Sequence, residues 1–352
     1  MKKKSIAMLA SILILILLLP SCGAKDGIEE TSAPEDPAVT ESAETIESGG
    51  GESIAEYFFV KSNTCYQYES SIPDLNQQVY VTYTGNDRIQ RWVSAQKMSS
   101  TEVIEYKNGE LKLIFGEPTF YYMENLLSVE PTLGFIILKE PLQVGQKWAP
   151  DEYTQVEITS MNSPVSTSSG DYEAMEISST STDGRVQREY YAKNVGLVKT
   201  EYTSSEGSLY DFSLKSIESA TLDFPAYFYP IGDGEKEERF IRFTTDSDLA
   251  ELISDEMHIP LEGGLSLLPE GVRINSLDVD RTVGGIAADL SSTLESFGTL
   301  EEQAVQAIAD TLGNFYDISK VKLTVSGASY KPSGDGFIEV RLESAAPAES
   351  GL

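Results

Sequence analysis

Histidine, cysteine and positive charge are all scarce in this chain, and each shortage removes a class of chemistry. There is one histidine, His258, and there are two cysteines, Cys22 and Cys65. A zinc site of the usual Cys/His kind needs more ligands than these. A nucleophilic cysteine needs a basic partner, and nothing in the spacing brings His258 to Cys65. Asn63-Thr64-Cys65-Tyr66-Gln67 reads as a strand, so Cys65 is expected to be a small buried hydrophobe. Lysine and arginine number 26 against 56 aspartates and glutamates, a formal net charge of -30. A surface that acidic repels nucleic acid and anionic headgroups, so DNA or RNA binding is not expected. A Gly-rich phosphate loop, a nucleophile elbow and a metal-binding His pair are also missing from the sequence. No cofactor, no metal and no catalytic residue is therefore expected.

Long apolar runs are equally rare, and the one that exists opens the chain. Lys2, Lys3 and Lys4 are followed by an apolar stretch from Ile6 to Leu19 and by Leu19-Pro20-Ser21-Cys22. A positive start, a short apolar core and a small residue before the next segment make a secretory signal peptide. The core is shorter than the roughly 20 residues of a spanning helix. The Leu-Pro-Ser-Cys ending resembles the lipobox of bacterial lipoproteins. That resemblance implies a signal peptide over residues 1–21, acylation of Cys22, and a protein held to the membrane by its lipid. Removal of the segment takes away three lysines and no acids, so the mature chain is more acidic still.

The length left over suggests two domains of about 150 residues each. Residues 22–55 are rich in Glu, Ser, Thr, Gly and Pro and poor in large apolar groups. Such a segment cannot offset the entropy of ordering and is expected to be an acidic tether. Residues 56–222 alternate with period two. Val103 to Lys107 and Glu110 to Phe115 flank Asn108-Gly109, a strong hairpin signal. Tyr172 to Thr182 turns at Asp183-Gly184 and returns through Arg185 to Tyr191. Gly196 to Tyr202 turns near Glu206-Gly207 and returns through Leu209 to Ile217. A short helix is expected over Phe120 to Leu127. The region reads as an antiparallel β-meander, a curved sheet or open barrel. Pro141 to Trp148 and Tyr190 to Lys199 resemble phrases of secreted bacterial β-domains, a class without common chemistry.

Pro225, Pro230, Gly232 and Gly234 mark residues 223–235 as a linker. Residues 236–331 then mix strand and helix, and residues 332–352 read as a tail. The whole is α+β: a β-rich domain followed by a smaller α/β domain. Arg239 to Thr244, Val272 to Val279, Gly285 to Leu290 and Val321 to Val325 read as strands. Val305, Ile308, Leu312 and Phe315 recur at helical spacing. Thr299-Leu300-Glu301-Glu302 before them has the form of a capping box. In their order, Leu268-Pro269-Glu270-Gly271-Val272 to Leu277, Ile286 to Ser291, Gly298 to Glu302, Ile308 to Leu312 and Val321 to Gly327 resemble a germane (GerMN) domain. That is the sporulation and spore-germination domain of endospore-forming and related bacteria. Relatives carry a helix ending Leu-Leu-x-Gly-Pro before the Pro-Glu-Gly strand. Here Asp248 to Gly264 lacks the Gly-Pro, and Ser326 stands where Asp is common.

Candidate polar sites weigh towards structure rather than chemistry. Asp289, between a buried strand and Ser291, is expected to cap the next segment rather than serve as a catalytic carboxylate. Asp278-Val279-Asp280 with Gly284-Gly285 reads as a hairpin turn, because a calcium loop needs more spaced oxygen ligands. Trp92 and Trp148 are expected as core or rim aromatics rather than sugar-stacking platforms. The resulting expectation is an extracytoplasmic, lipid-anchored, non-enzymatic interaction module in sporulation, germination or cell-wall-linked assembly. Its partners would be the membrane, through the lipid, and an envelope protein or peptidoglycan. The alternatives are a glycan- or lipid-binding lipoprotein, which requires an apolar cavity between Tyr57 and Leu222, and a cell-wall hydrolase, which requires clustered acids in a cleft.

Overall fold

A computed structural model describes residues 52–343, apart from 59, 96–97, 119–121 and 332–335. The first part holds a short helix, α1 (Ile54–Tyr57), and twelve strands. These are β1 (Thr64–Ser70), β2 (Gln77–Thr84), β3 (Arg88–Ala95), β4 (Met98–Lys107), β5 (Glu110–Pro118) and β6 (Phe135–Lys139). They continue with β7 (Lys147–Trp148), β8 (Thr154–Thr167), β9 (Gly170–Ser181), β10 (Val186–Ala192), β11 (Gly196–Thr203) and β12 (Leu209–Ser219). One antiparallel sheet contains them all, in the order β6-β5-β4-β3-β2-β1-β12-β11-β10-β9-β8-β7. Two meanders are thus joined where β1 pairs with β12.

The outermost strands of this sheet are consecutive in the chain, so the sheet must curl to bring them together. Residues 140–146 connect β6 to β7. The seam is bridged by a side chain: Trp148 Nε1 donates to the carbonyl of Ile136 at 3.1 Å. The sheet is therefore nearly closed, with one seam. The Asn108-Gly109 hairpin forms as read, with φ of 55° and 70° at the two turn residues, the left-handed pair that a two-residue hairpin requires.

The expected helix over Phe120 to Leu127 does not form in its described part, and residues 119–121 lie outside the described residues. Gln90 of β3 explains the extended path. Its amide donates to the carbonyl of Glu124 at 2.8 Å, and its carbonyl accepts from the amide of Leu126 at 2.7 Å. Two backbone groups that a helix would use are thereby taken, and Met123 is driven into the core.

The second part begins earlier than the sequence suggested. β13 (Leu222–Phe228) pairs along its length with β14 (Glu237–Phe243). Half of the expected linker at 223–235 is therefore a strand, with Phe224, Ala226 and Phe228 buried. Next come α2 (Leu249–His258), β15 (Ile274–Asp280), β16 (Gly285–Leu290), α3 (Glu301–Tyr316), β17 (Lys320–Val325), β18 (Ala328–Ser329) and β19 (Ile338–Glu339). β16 and β17 are parallel neighbours, and α3 supplies the crossover that a parallel pair needs. Ala304, Val305, Ile308 and Leu312 form its buried face. β19 pairs with β17, so part of the expected tail at 332–352 belongs to this sheet.

Two helix starts differ from expectation. The capping box at Thr299 is not made. α3 starts at Glu301, its N-cap is Leu300, and no side chain caps it. A 3-10 turn over Glu295–Leu300 feeds the helix instead, with the Glu301 amide bonded to the carbonyl of Gly298. α2 is capped by Asp248, whose Oδ1 accepts from the amides of Ala250 and Glu251 at 2.9 and 3.4 Å. At the other end of the chain, Ser53 and Glu56 cap α1 reciprocally, and Ile54 and Tyr57 are buried. Residues 52–55 of the expected tether at 22–55 thus belong to the described fold. Among the described residues, no helix is long and apolar enough to cross a membrane.

Both parts share one apolar core. Tyr80, Tyr83 and Trp92 of the large sheet and Met123 of the connection between β5 and β6 join Phe224, Phe228, Phe243, Ile253, Ile308 and Leu312 of the second part. The turn after β14 is stitched to β2. Thr245 Oγ1 donates to the carbonyl of Val81 at 2.7 Å, and Asp246 accepts from the amide and hydroxyl of Thr84, both at 2.6 Å. A large β-sheet and a small α/β region therefore form one packed body.

Candidate functional site

The inner face of the large sheet is not filled by side chains. It encloses a cavity of about 170 Å³, lined from β1 to β6 and from β8 to β11. Val79, Val81, Leu113, Val156 and Leu197 supply apolar wall, and Phe58, which follows α1, adds a ring. Period-two alternation delivers these residues to one face, because side chains at i and i+2 share a side of the sheet. The same rule delivers charged residues to that face.

Arg91 and Glu102 are direct cross-strand partners on β3 and β4. Their side chains form an ion pair at 2.5 Å, 13% and 2% exposed respectively. Arg91 also lies 5.6 Å from the ring centroid of Phe58. The pair is incompletely satisfied: Arg91 Nε and Glu102 Oε1 are buried without a hydrogen-bond partner among the described residues. Glu189 of β10 lines the same cavity. Burial pushes its carboxyl up to about 7, against the downward pull of Gln187, Tyr191 and Arg91. Two carboxylates therefore share one guanidinium, and Glu102 holds it. Tyr68 and Tyr191 complete the group, and burial raises both phenols. Arg185, at the start of β10, is neutralised by Asp183 at 2.7 Å.

None of these residues was singled out from the sequence. The signal is weak but real: Arg91 shares its strand face with Val93, and Glu102 shares its with Ile104. A charge at an inward register position is costly unless partnered or used.

The residues that the sequence did single out occupy structural places. Cys22 lies outside the described residues. Cys65 is a buried free thiol, pushed up to about 11 by burial and by Glu218. His258 sits on α2 with its ring nitrogens 2.7 Å from the carbonyl of Ser254 and 3.2 Å from that of Pro269. Trp92 is buried edge-on to Phe224 at 6.0 Å, and Trp148 closes the seam. Asp280 Oδ1 accepts from the amides of Thr282 and Val283 at 2.9 and 3.1 Å, which makes a turn of the expected loop.

Asp289 holds a turn, although not the one expected. It accepts from Thr324 Oγ1 at 2.6 Å, the amide of Gly327 at 2.8 Å and Asn275 Nδ2 at 3.0 Å. These bonds tie β16 to β15 and to the β17–β18 turn rather than to Ser291, and they hold the carboxyl below its ordinary range. Asparagine keeps an oxygen for Thr324 and Gly327 but turns an amide towards the Asn275 amide. Asp289→Asn should therefore cost about 1 kcal/mol at neutral pH. The native contribution is present above the unfolded value near 3.9 and is lost as pH falls through the lowered folded value. Urea titrations at pH 7 and pH 3 should show the gap between wild type and variant closing at the lower pH. An unchanged gap would remove the carboxylate from this account.

Comparison with known proteins bears on the second part of the chain. The family model Germane, described as sporulation and spore germination, matches residues 225–331. Tandem GerMN domains of the sporulation protein GerM from Bacillus subtilis are 21% identical, over 35% of this chain and 45% of that one, with a TM-score of 0.26. The first of those domains alone is 22% identical, over 34% of this chain and 95% of that one, with a TM-score of 0.26. A Bacteroides fragilis protein described as exported, with a YmcC-like fold, is 12% identical, over 46% of this chain and 98% of that one, with a TM-score of 0.29. No curated protein matches the chain. With the order of its helices and strands, the match at residues 225–331 identifies the second part of this chain as a germane domain.

Proposed function

We propose that the chain is an extracytoplasmic lipoprotein, anchored through Cys22, that acts as a non-catalytic interaction module in sporulation, germination or cell-wall-linked assembly. The observation that carries this reading is the germane domain itself, packed through one continuous core onto the twelve-stranded sheet. A shared core packs the two parts into a single body, which suits a scaffold that presents surfaces of both. Arg281 supports the junction: it pairs with Glu124 at 3.3 Å and lies 4.2 Å from the ring centroid of Tyr122.

A hydrolase acting on glycan strands is disfavoured by the cavity's size. An engineered cavity of about 150 Å³ holds a benzene molecule, so a space of about 170 Å³ takes one compact group and not a polymer. Glu102, the most deeply buried acid inside it, is also engaged with a guanidinium.

Replacing the gene by its Cys22→Ala form in the host tests the reading. Unprocessed, unacylated precursor should accumulate, and spore formation or germination should fail as it does in a deletion strain. A variant that still fractionates as mature membrane-bound protein overturns the anchor. A deletion strain with normal sporulation, germination and envelope overturns the assignment to those processes.

A further inference from the structure

We propose that the cavity inside the large sheet is a binding site for a compact organic cation, an ammonium group carried on a small hydrocarbon body. The inference does not depend on the germane domain or on the lipid anchor. It rests on the size of the cavity, its lining and the balance of its charges.

Its volume, about 170 Å³, matches a ligand of benzene size or slightly more. Val79, Val81, Leu113, Val156 and Leu197 make much of the wall apolar, so a small hydrocarbon body fits there beside the polar groups. The charges then select the head. Arg91 and Glu102 neutralise each other across β3 and β4. Arg185 is held by Asp183, so Glu189 and Asp151 remain as acids that face the same space without a guanidinium of their own. An anionic head, such as that of a fatty acid or a phosphate ester, would meet three carboxylates and two guanidiniums already engaged. An uncharged head would leave the surplus uncompensated. A cation removes it, and the tyrosine and phenylalanine rings on the wall add the quadrupole attraction that favours ammonium groups.

The partly unsatisfied ion pair marks the same wall as a place that receives a ligand, with Glu102 Oε1 left to accept and Arg91 Nε left to donate. Buried polar networks left incomplete destabilise a fold without return, so their retention at a cavity wall marks a site that is used. Burial also raises the Glu189 carboxyl to about 7, so that near pH 7 it is part protonated and a bound cation draws it to its ionised form. The charged and titratable groups facing the same space are Arg91 with Glu102 from β3 and β4, Tyr66 and Tyr68 from β1, Asp151 before β8, Arg185 (paired with Asp183) before β10, Tyr202 from β11, and Tyr191 on its own strand. Of these, Glu189 has a value that lies near pH 7.

Calorimetry on the intact mature protein tests the proposal with three probes of one shape: choline, neohexyl alcohol as its uncharged carbon isostere, and tert-butylacetate as its anionic counterpart. Choline should bind at least ten-fold more tightly than the alcohol, and the anion should not bind. Because the ionised carboxylate is the binding form, choline affinity should rise by up to ten-fold per pH unit below about 7 and level off above it. Binding at pH 7 should release protons, seen as an enthalpy that depends on the buffer. Glu189→Gln, which keeps the side-chain volume, should abolish both the pH dependence and the preference for choline while leaving the circular dichroism spectrum unchanged. Proton release in the wild type decides the matter without the variant. Equal affinity for choline and the alcohol, tighter binding of the anion, no binding of any probe, or choline binding without proton release would each overturn the proposal.

Discussion

Replacing Phe243 by alanine will destabilise both parts of the molecule together, by about 3–5 kcal/mol. Phe243 ends β14 in the germane domain and is fully buried. Its ring meets Tyr83 of the large sheet edge-on, with centroids 5.3 Å apart. It lies in the same core as Ile253 of α2 and Leu312 of α3. Truncation therefore opens a cavity at the junction, where relaxation of one part pulls on the other. The hydrogen bonds of Thr245 and Asp246 to β2 follow two and three residues later, so the loss also loosens that turn.

The measurement needs two probes. Trp92 and Trp148 report on the large sheet, and far-ultraviolet circular dichroism at the helical band reports mainly on α2 and α3. Under urea, both signals should move to lower denaturant and remain coincident, as one cooperative unit requires. If the helical signal shifts while tryptophan fluorescence keeps its wild-type midpoint, the two parts are independent and the shared core does not couple them.

Much of this architecture is legible in the sequence, and the misreadings have specific causes. Hairpins at Asn108-Gly109 and Asp183-Gly184 were legible because the turn chemistry is local. The buried face of α3 was legible because helical periodicity survives without context. The start of the germane domain was not, because Pro225 and Pro230 read as breaks. Pro225 in fact sits within β13 opposite Phe240. That sheet has two strands, so a residue without an N–H is tolerated on its outer edge. The cap at Thr299 was misread because the 3-10 turn before α3 already supplies a backbone bond there. The cavity was invisible for a different reason. Its charged residues are five among 82 acids and bases, and nothing local tells an inward-facing glutamate from a solvated one until the sheet closes.

Ending the chain after residue 331 will unfold the germane domain, and ending it after residue 343 will not. Composition marks residues 332–352 as a tail, yet the segment from Ile338 to Glu343 is built into the fold. Ile338 opposes Val321 on the sheet, and the amide of Val340 donates to the carbonyl of Ser319 at 2.8 Å. Both side chains are buried. Val340 also explains Gly313 within α3: a Cβ there would lie 2.7 Å from Val340 Cγ1 and from the carbonyl oxygen of Ile318. The helix carries a glycine, at a cost of about 1 kcal/mol against alanine, so that this strand can approach. Asn314 fastens the crossing further, since its Oδ1 accepts from the amide of Glu343 at 2.9 Å. Loss of one large buried aliphatic costs about 2–5 kcal/mol. Two such losses, together with the exposed edge of β17, approach the 5–15 kcal/mol that typically separates a folded domain from its unfolded chain. Hydrogen exchange of the α3 amides in the two shortened chains provides the measurement. Those amides should be protected in the chain ending at 343 and should exchange freely in the chain ending at 331. Equal protection in both would return residues 332–343 to the status of a tail.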